Sequence, residues 1–201
     1  MRLAANAILA SVAGFLALVA LSMATYPGGS WLDRRADGHD LARNFLCDLL
    51  GPVAINGQPN GTGSSAMIAA MVVLALGLGV TWWSIPGLIP GRSLGLVVRG
   101  SGTLSLLGLV AVPLTPPTVS YQLHAAAVFA GGIPAAAAWI LALWGLRRGE
   151  RTRRLAWLGG LALLAMLVGF ALWAQQYWGD GEPTVLLPAS HRVATVLFLA
   201  W

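Results

Sequence analysis

The chain alternates long apolar runs with short polar breaks. Five runs, Leu3 to Met23, Gly63 to Trp83, Leu94 to Leu114, Leu123 to Leu146 and Leu155 to Trp173, hold almost no charge. Each approaches the about 20 apolar residues that a helix needs to cross a bilayer. A sixth run, Val193 to Trp201, covers nine residues, which span about 14 Å as a helix. Either it ends inside the membrane or the chain continues in a longer protein. The pattern predicts an all-α fold: a polytopic transmembrane helix bundle of about six spans, forming a single integral membrane domain over residues 1–201. Ser22, Met23 and Ala24 before Thr25 look like a cleavage site. The first apolar run is longer than the about 7–15 residues of a signal-peptide core, so it reads as a retained span.

Composition turns the pattern into a choice of solvent. With 57% hydrophobic and 9% charged residues, the chain cannot present an ordinary polar surface to water. The net charge of +5 comes entirely from arginine. The basic residues do not cluster on a soluble domain, so nucleic acid is not an expected partner. They instead set an orientation. If the spans alternate, one side carries Arg2, Arg92, Arg99 and the "RRGERTRR" loop 147–154, eight arginines against Glu150 alone. The other carries four arginines against six carboxylates. The positive-inside rule makes the first side cytoplasmic, with the amino terminus inside and the protein in the inner (plasma) membrane. Aromatic residues mark both boundaries: Trp82, Trp83, Trp144 and Trp157 inside, Tyr26, Trp31, Tyr121, Tyr177 and Trp178 outside.

This topology puts His39, His124 and His191 on the same outer side, near Asp40 and Asp48. Three imidazoles from separate segments are a candidate zinc site, because catalytic zinc takes three protein ligands and keeps a fourth position for water. The competing reading is of interfacial histidines hydrogen-bonded to loop carbonyls. No HExxH motif decides between them.

The polar cluster "DGHDLARNFLCDLL", residues 37–50, places Asp37, Asp40, Arg43, Asn44, Cys47 and Asp48 on one helical arc. Leu41, Ala42, Phe45, Leu46, Leu49 and Leu50 lie on the other. It predicts an amphipathic helix over 39–50 in the outer interface, stopped by Gly51-Pro52, with Phe45, Leu46 and Leu49 buried. Its stripe Asp40, Asn44, Asp48 reads either as a solvated face or as a functional acceptor row. In the functional reading Asp48 and Asn44 face His124 near the bundle mouth, with His39 peripheral. At minimum that contact locks the loop onto the fourth span; at most it activates water against a lipid ester or amide.

Other features carry less. "INGQPNGTGSS", residues 55–65, reads as a backbone cradle for an anionic headgroup or as a turn into a capped helix. Asn60-Gly61-Thr62 matches a glycosylation acceptor. Cys47 is the lone cysteine, so no internal disulfide forms. Arg99, about 10 Å beyond Arg92 along the third span, reads as a side chain snorkelling to the inner surface. The glycines of the fourth and fifth spans, with Pro134, read as close helix packing and a kink.

The order of "YPGGSW", "ARNFLCDLL", "NGQPNGTGSS", "YQLHAAAVFAGGIP" and "SHRVATVLFLAW" resembles the small six-span bacterial membrane family catalogued as domain of unknown function 998, which is similar to DRAM-like membrane proteins. The family's first outer loop reads Asn-Phe, a variable residue, Ser, Asp, Leu. That maps onto Asn44, Phe45, Leu46, Cys47, Asp48 and Leu49, with Cys47 in place of the serine. The resemblance also aligns His124 with a histidine opening the fourth span, and His191-Arg192 with a polar-Arg pair opening the last. It implies six helices and no established activity. Two function classes follow. One is a lipid-associated accessory, scaffold or sensor protein, with membrane lipids, a second copy or another membrane protein as partners. The other is a lipid-directed hydrolase or transferase using His124, Asp48, Asn44 and His191, with zinc on His39, His124 and His191.

Overall fold

Each apolar run becomes a helix in the computed structural model, which describes residues 2–178 and 184–201. In order these are α1 (Arg2–Thr25), α2 (Gly61–Ser84), α3 (Arg92–Ala111), α4 (Tyr121–Leu146), α5 (Arg153–Trp178) and α6 (Leu186–Ala200). The first five are long and apolar enough to cross a membrane. Short 3₁₀ turns at Ile85–Leu88 and Val112–Leu114 extend α2 and α3 at their ends. Among the described residues there is no β-strand, only two isolated bridges. A bilayer demands this economy, because a helix satisfies its backbone polar groups within the segment.

The sixth helix begins earlier than its apolar run. It starts at Leu186 and has 15 residues, about 22 Å of length. Pro188 falls in its first turn, where a missing N–H removes no intrahelical bond. Ser190, His191 and Arg192 interrupt the apolar count without interrupting the helix. Their side chains turn toward α5 and the first loop, so the hydropathy break is a packing feature.

The helices pack mainly as sequential antiparallel pairs: α1 on α2, α3 on α4 and α5 on α6. Small residues set the spacing. Gly108 of α3 lies directly against the Gly131 backbone of α4, where a Cβ on Gly108 has no room and one on Gly131 is tight. In hydrocarbon no hydrophobic force drives helices together, so such close backbone approach supplies the van der Waals contact. Helix α4 continues through Pro134 to Leu146.

Two apolar cores divide the bundle along its length. At the end that carries the first loop, Phe15, Val19, Met67 and Ala70 pack with Leu49 and Leu50. At the arginine-rich end, Trp82, Val98, Trp139, Ala142 and Leu146 pack together, flanked by Phe198 and Trp201. Helix α2 is the central member, the most buried of the spans, and α1 and α5 are peripheral, the least buried. The outward apolar side chains, among them Leu76, Leu107, Ile133 and Trp157, would be an aggregation surface in water and are ordinary in lipid. At the arginine-rich end Arg148 lies over the Trp144 ring at 3.9 Å and Arg99 over the Trp83 ring at 4.8 Å.

The expected interfacial helix over 39–50 is not present. Residues 41–43 form one turn, Phe45 is extended at φ −82°, ψ 157°, and only a 3₁₀ turn, Leu46–Leu50, follows. The polar side chains that drew the amphipathic pattern take the backbone donors themselves. Asp40 Oδ1 accepts from Ala42 and Arg43 N–H at 2.7 and 3.2 Å, and Asp48 Oδ2 accepts from Phe45 N–H at 2.9 Å. Asp and Asn offer the backbone this alternative to helix, and here it wins.

Candidate functional site

The first loop, residues 26–60, folds as a cap over the end of α1 and α2. Gly29 N–H donates to the Ala36 carbonyl at 2.7 Å and Gly38 N–H to Pro27 at 3.2 Å, closing the segment 27–38 on itself. Gly29 has φ +85° and lies so close to the Ile55–Asn56 backbone that no Cβ fits. Glycine alone satisfies both demands. Across the loop, Asn60 donates through Nδ2 to the carbonyls of Leu49 and Gly51 at 3.2 and 2.9 Å. Ser64 Oγ donates to Leu50 at 2.7 Å, and Ser22 Oγ to Gly63 at 2.7 Å. Asn60 and Ser64 thus fasten the cap to the start of α2, and Ser22 ties α1 to α2 beneath it.

Asn44 and Asp48 form the centre. The helical wheel places them on the solvated arc; in the structure they are 0% and 1% exposed. Asn44 Nδ2 donates to the Gly29 carbonyl at 2.8 Å and to Asp48 Oδ2 at 3.0 Å, while its Oδ1 accepts from Asp40 N–H at 2.9 Å. Asp48 Oδ1 accepts from Trp31 Nε1 at 3.1 Å. Together with the Phe45 N–H, three donors therefore occupy the two carboxylate oxygens. Burial raises the Asp48 pKa above its usual range, opposed by these hydrogen bonds and by the nearby Arg192 charge.

Arg192 completes the cluster from the far end of the chain. Its Nη2 donates to the Asn44 carbonyl at 2.6 Å, across 148 residues of sequence, while Nε and Nη1 are buried without a partner. His39 lies in the same group, edge-on to Tyr26 at 5.8 Å. Burial, then the Arg192 charge, lowers its pKa to about 4, so it is neutral at ordinary pH. Burial, then Asp48, pushes the Cys47 thiol up to about 12, which leaves no thiolate to act as nucleophile.

The expected meeting of Asp48 and Asn44 with His124 is replaced by these contacts. His124 is buried in α4, and its Nδ1 donates to the Thr115 carbonyl at 2.8 Å. His191 packs its ring against Phe45 at 5.4 Å and beside Gly169. His39, expected at the periphery, is half-buried and feels the Arg192 and Asp40 charges. The three histidines thus have separate surroundings. Among the described residues no group of three or more His, Cys, Asp and Glu side chains is placed to hold a metal ion.

The sequence reading missed Trp31 as a carboxylate donor and Ser22, Asn60 and Ser64 as fasteners. A signal existed for Ser22 and Ser64, hydroxyls at span ends. For Asn60 the glycosylation match pointed the other way; the side chain is 1% exposed and both Nδ2 bonds are internal. Tyr177, Trp178, Asp180 and Glu182, assigned to the outer side, have side chains outside the described residues.

The architecture defines a class: a polytopic helical bundle suited to a membrane, with a hydrogen-bonded cap on one end. No family model matches the chain, and no curated protein or solved structure matches it.

Proposed function

We propose that this chain is a non-enzymatic, lipid-associated accessory or scaffold protein of the plasma membrane. The observation that carries this reading is the state of Asp48. A general base must reach the proton it abstracts, and here the carboxylate is 1% exposed and tied down by three protein donors. The grooves on the bundle surface support the same reading, since they run between lipid-facing helices: one between α2 and α3, one between α5 and α6, lined by apolar residues. The cap serves as a lock that holds α1, α2 and α6 in register. The arginine-rich end, with loop 147–154, faces the cytoplasm because arginine retention sets orientation.

A lipid-directed hydrolase or transferase is the second reading, and one observation favours it. A buried carboxyl with a raised pKa is a recurrent feature of catalytic sites. Reconstitution of the protein in vesicles of membrane lipid extract, followed by mass spectrometry of released acyl chains and headgroups, separates the two. The accessory reading expects no product above that of empty vesicles. Turnover that vanishes in Asp48→Asn while the fold persists overturns it.

A further inference from the structure

From the groove between α2 and α3 we infer a binding site for an anionic phospholipid, with the acyl chain along the groove and the headgroup at Arg99. This rests on the lipid-associated reading above and adds to it a place, a charge and a leaflet. The groove has a volume of about 470 Å³ and is lined by Ala75, Gly79, Trp83 and Ser84 of α2 and by Leu106 of α3. Its floor is shallow because two positions on α2 are alanine and glycine. Arg99 and Leu106 are seven residues apart, two helical turns, so they share one face of α3 and stand about 10 Å apart along it. Leu106 therefore lines the groove while Arg99 stands at its arginine-rich end, beside Trp83.

The charge of Arg99 selects the occupant. Its guanidinium lies over the Trp83 ring at 4.8 Å, and its one hydrogen bond among the described residues is a long one, Nη2 to the Trp83 carbonyl at 3.4 Å. The ion pair among the described residues is Arg43 with Asp40, in the first loop at the opposite end. On the arginine-rich side Glu150 is the lone carboxylate facing eight arginines. A guanidinium one turn or more inside a span is costly without a counter-charge. Arginine matches a phosphate diester through paired N–H donors, and a tryptophan beside it suits the headgroup level. Arg148 over Trp144 has the same cation–aromatic pairing and provides an internal control for surface charge alone.

The test uses the full chain in nanodiscs of phosphatidylcholine with a minor fraction of phosphatidylglycerol, released for native mass spectrometry. Retained phosphatidylglycerol is counted against retained phosphatidylcholine. Arg99→Gln is expected to lower the ratio about fivefold, the size of one cationic side chain at a membrane surface, and the groove-filling Ala75→Phe is expected to lower it as well. Arg99→Lys should recover most of it, and Arg148→Gln should leave it unchanged, all in protein with wild-type size-exclusion profiles. Equal losses in Arg99→Gln and Arg148→Gln overturn the site in favour of diffuse surface charge. Displacement of the lipid by inorganic phosphate also overturns it, since the groove then contributes nothing. Retention that no variant alters overturns the site but leaves lipid association standing. A wild-type protein that retains no lipid overturns both.

Discussion

Asp48→Ala is the perturbation that most directly probes the cap. It removes the acceptor of three hydrogen bonds at once, from Trp31 Nε1, Asn44 Nδ2 and Phe45 N–H. Each buried donor left without a partner costs about 1–3 kcal/mol. Because the three share one acceptor their losses are not additive, and removal of a buried charge offsets part of them. The net destabilisation expected is about 3–5 kcal/mol, or a fall in Tm of roughly 10 °C for a chain of this size. Asp48→Asn isolates acceptor geometry from charge. Its amide oxygen still accepts from Asn44 and Phe45, its NH₂ meets the Trp31 donor, and one bond is lost, at about 1–2 kcal/mol. Thermal unfolding in a fixed detergent, followed by size exclusion, reads both variants. If Asp48→Asn falls as far as Asp48→Ala, the negative charge opposite Arg192 holds the cap and the acceptor argument is wrong. An unchanged Tm in Asp48→Ala would remove Asp48 from the lock altogether.

Three further outcomes follow from the same structure. Gly108→Ala, which drives a Cβ into the Gly131 backbone, should cost about 1–3 kcal/mol, whereas Gly132→Ala, with nothing within 4 Å of its Cβ, should leave Tm unchanged; equal shifts would contradict the α3–α4 contact. His39 is neutral in the fold, with its pKa lowered from 6.5 to about 4. The unfolded chain therefore binds the proton first, and stability falls as pH drops from about 6.5 toward 4, by about 1–2 kcal/mol after solvent screening; a His39→Gln variant should flatten that part of the Tm–pH profile, and an identical slope in both proteins would refute it. Finally, a cysteine introduced at Gly149 in a Cys47→Ser background should resist an impermeant maleimide in intact cells and react after lysis, while one at Arg35 reacts in both; the reverse pattern would invert the topology.

Much of the fold was legible along the chain because a bilayer reduces it to a length problem. A span must be apolar for about 20 residues and must satisfy its own backbone, and five stretches of this sequence meet both demands without reference to one another. The sixth was read short, at Val193 rather than Leu186, since hydropathy cannot distinguish a polar residue that ends a helix from one that packs against a neighbouring loop. Arginine counts supplied an orientation on the same local basis. The cap was not legible. The wheel assigned Asn44 and Asp48 to water because a period of 3.6 reports only that residues differ in polarity, and a buried polar cluster shows the same period as a solvated one. What buries them is the Gly29 carbonyl, the Trp31 indole and Arg192, the last 148 residues away from its partner Asn44. Likewise the three histidines shared a side by topology, yet the contacts of His39 with Tyr26, His124 with Thr115 and His191 with Phe45 arise from packing between elements. Solvent preference is a property of each residue and is written in the sequence; hydrogen-bond partnership is a property of pairs, and only the tertiary structure decides it.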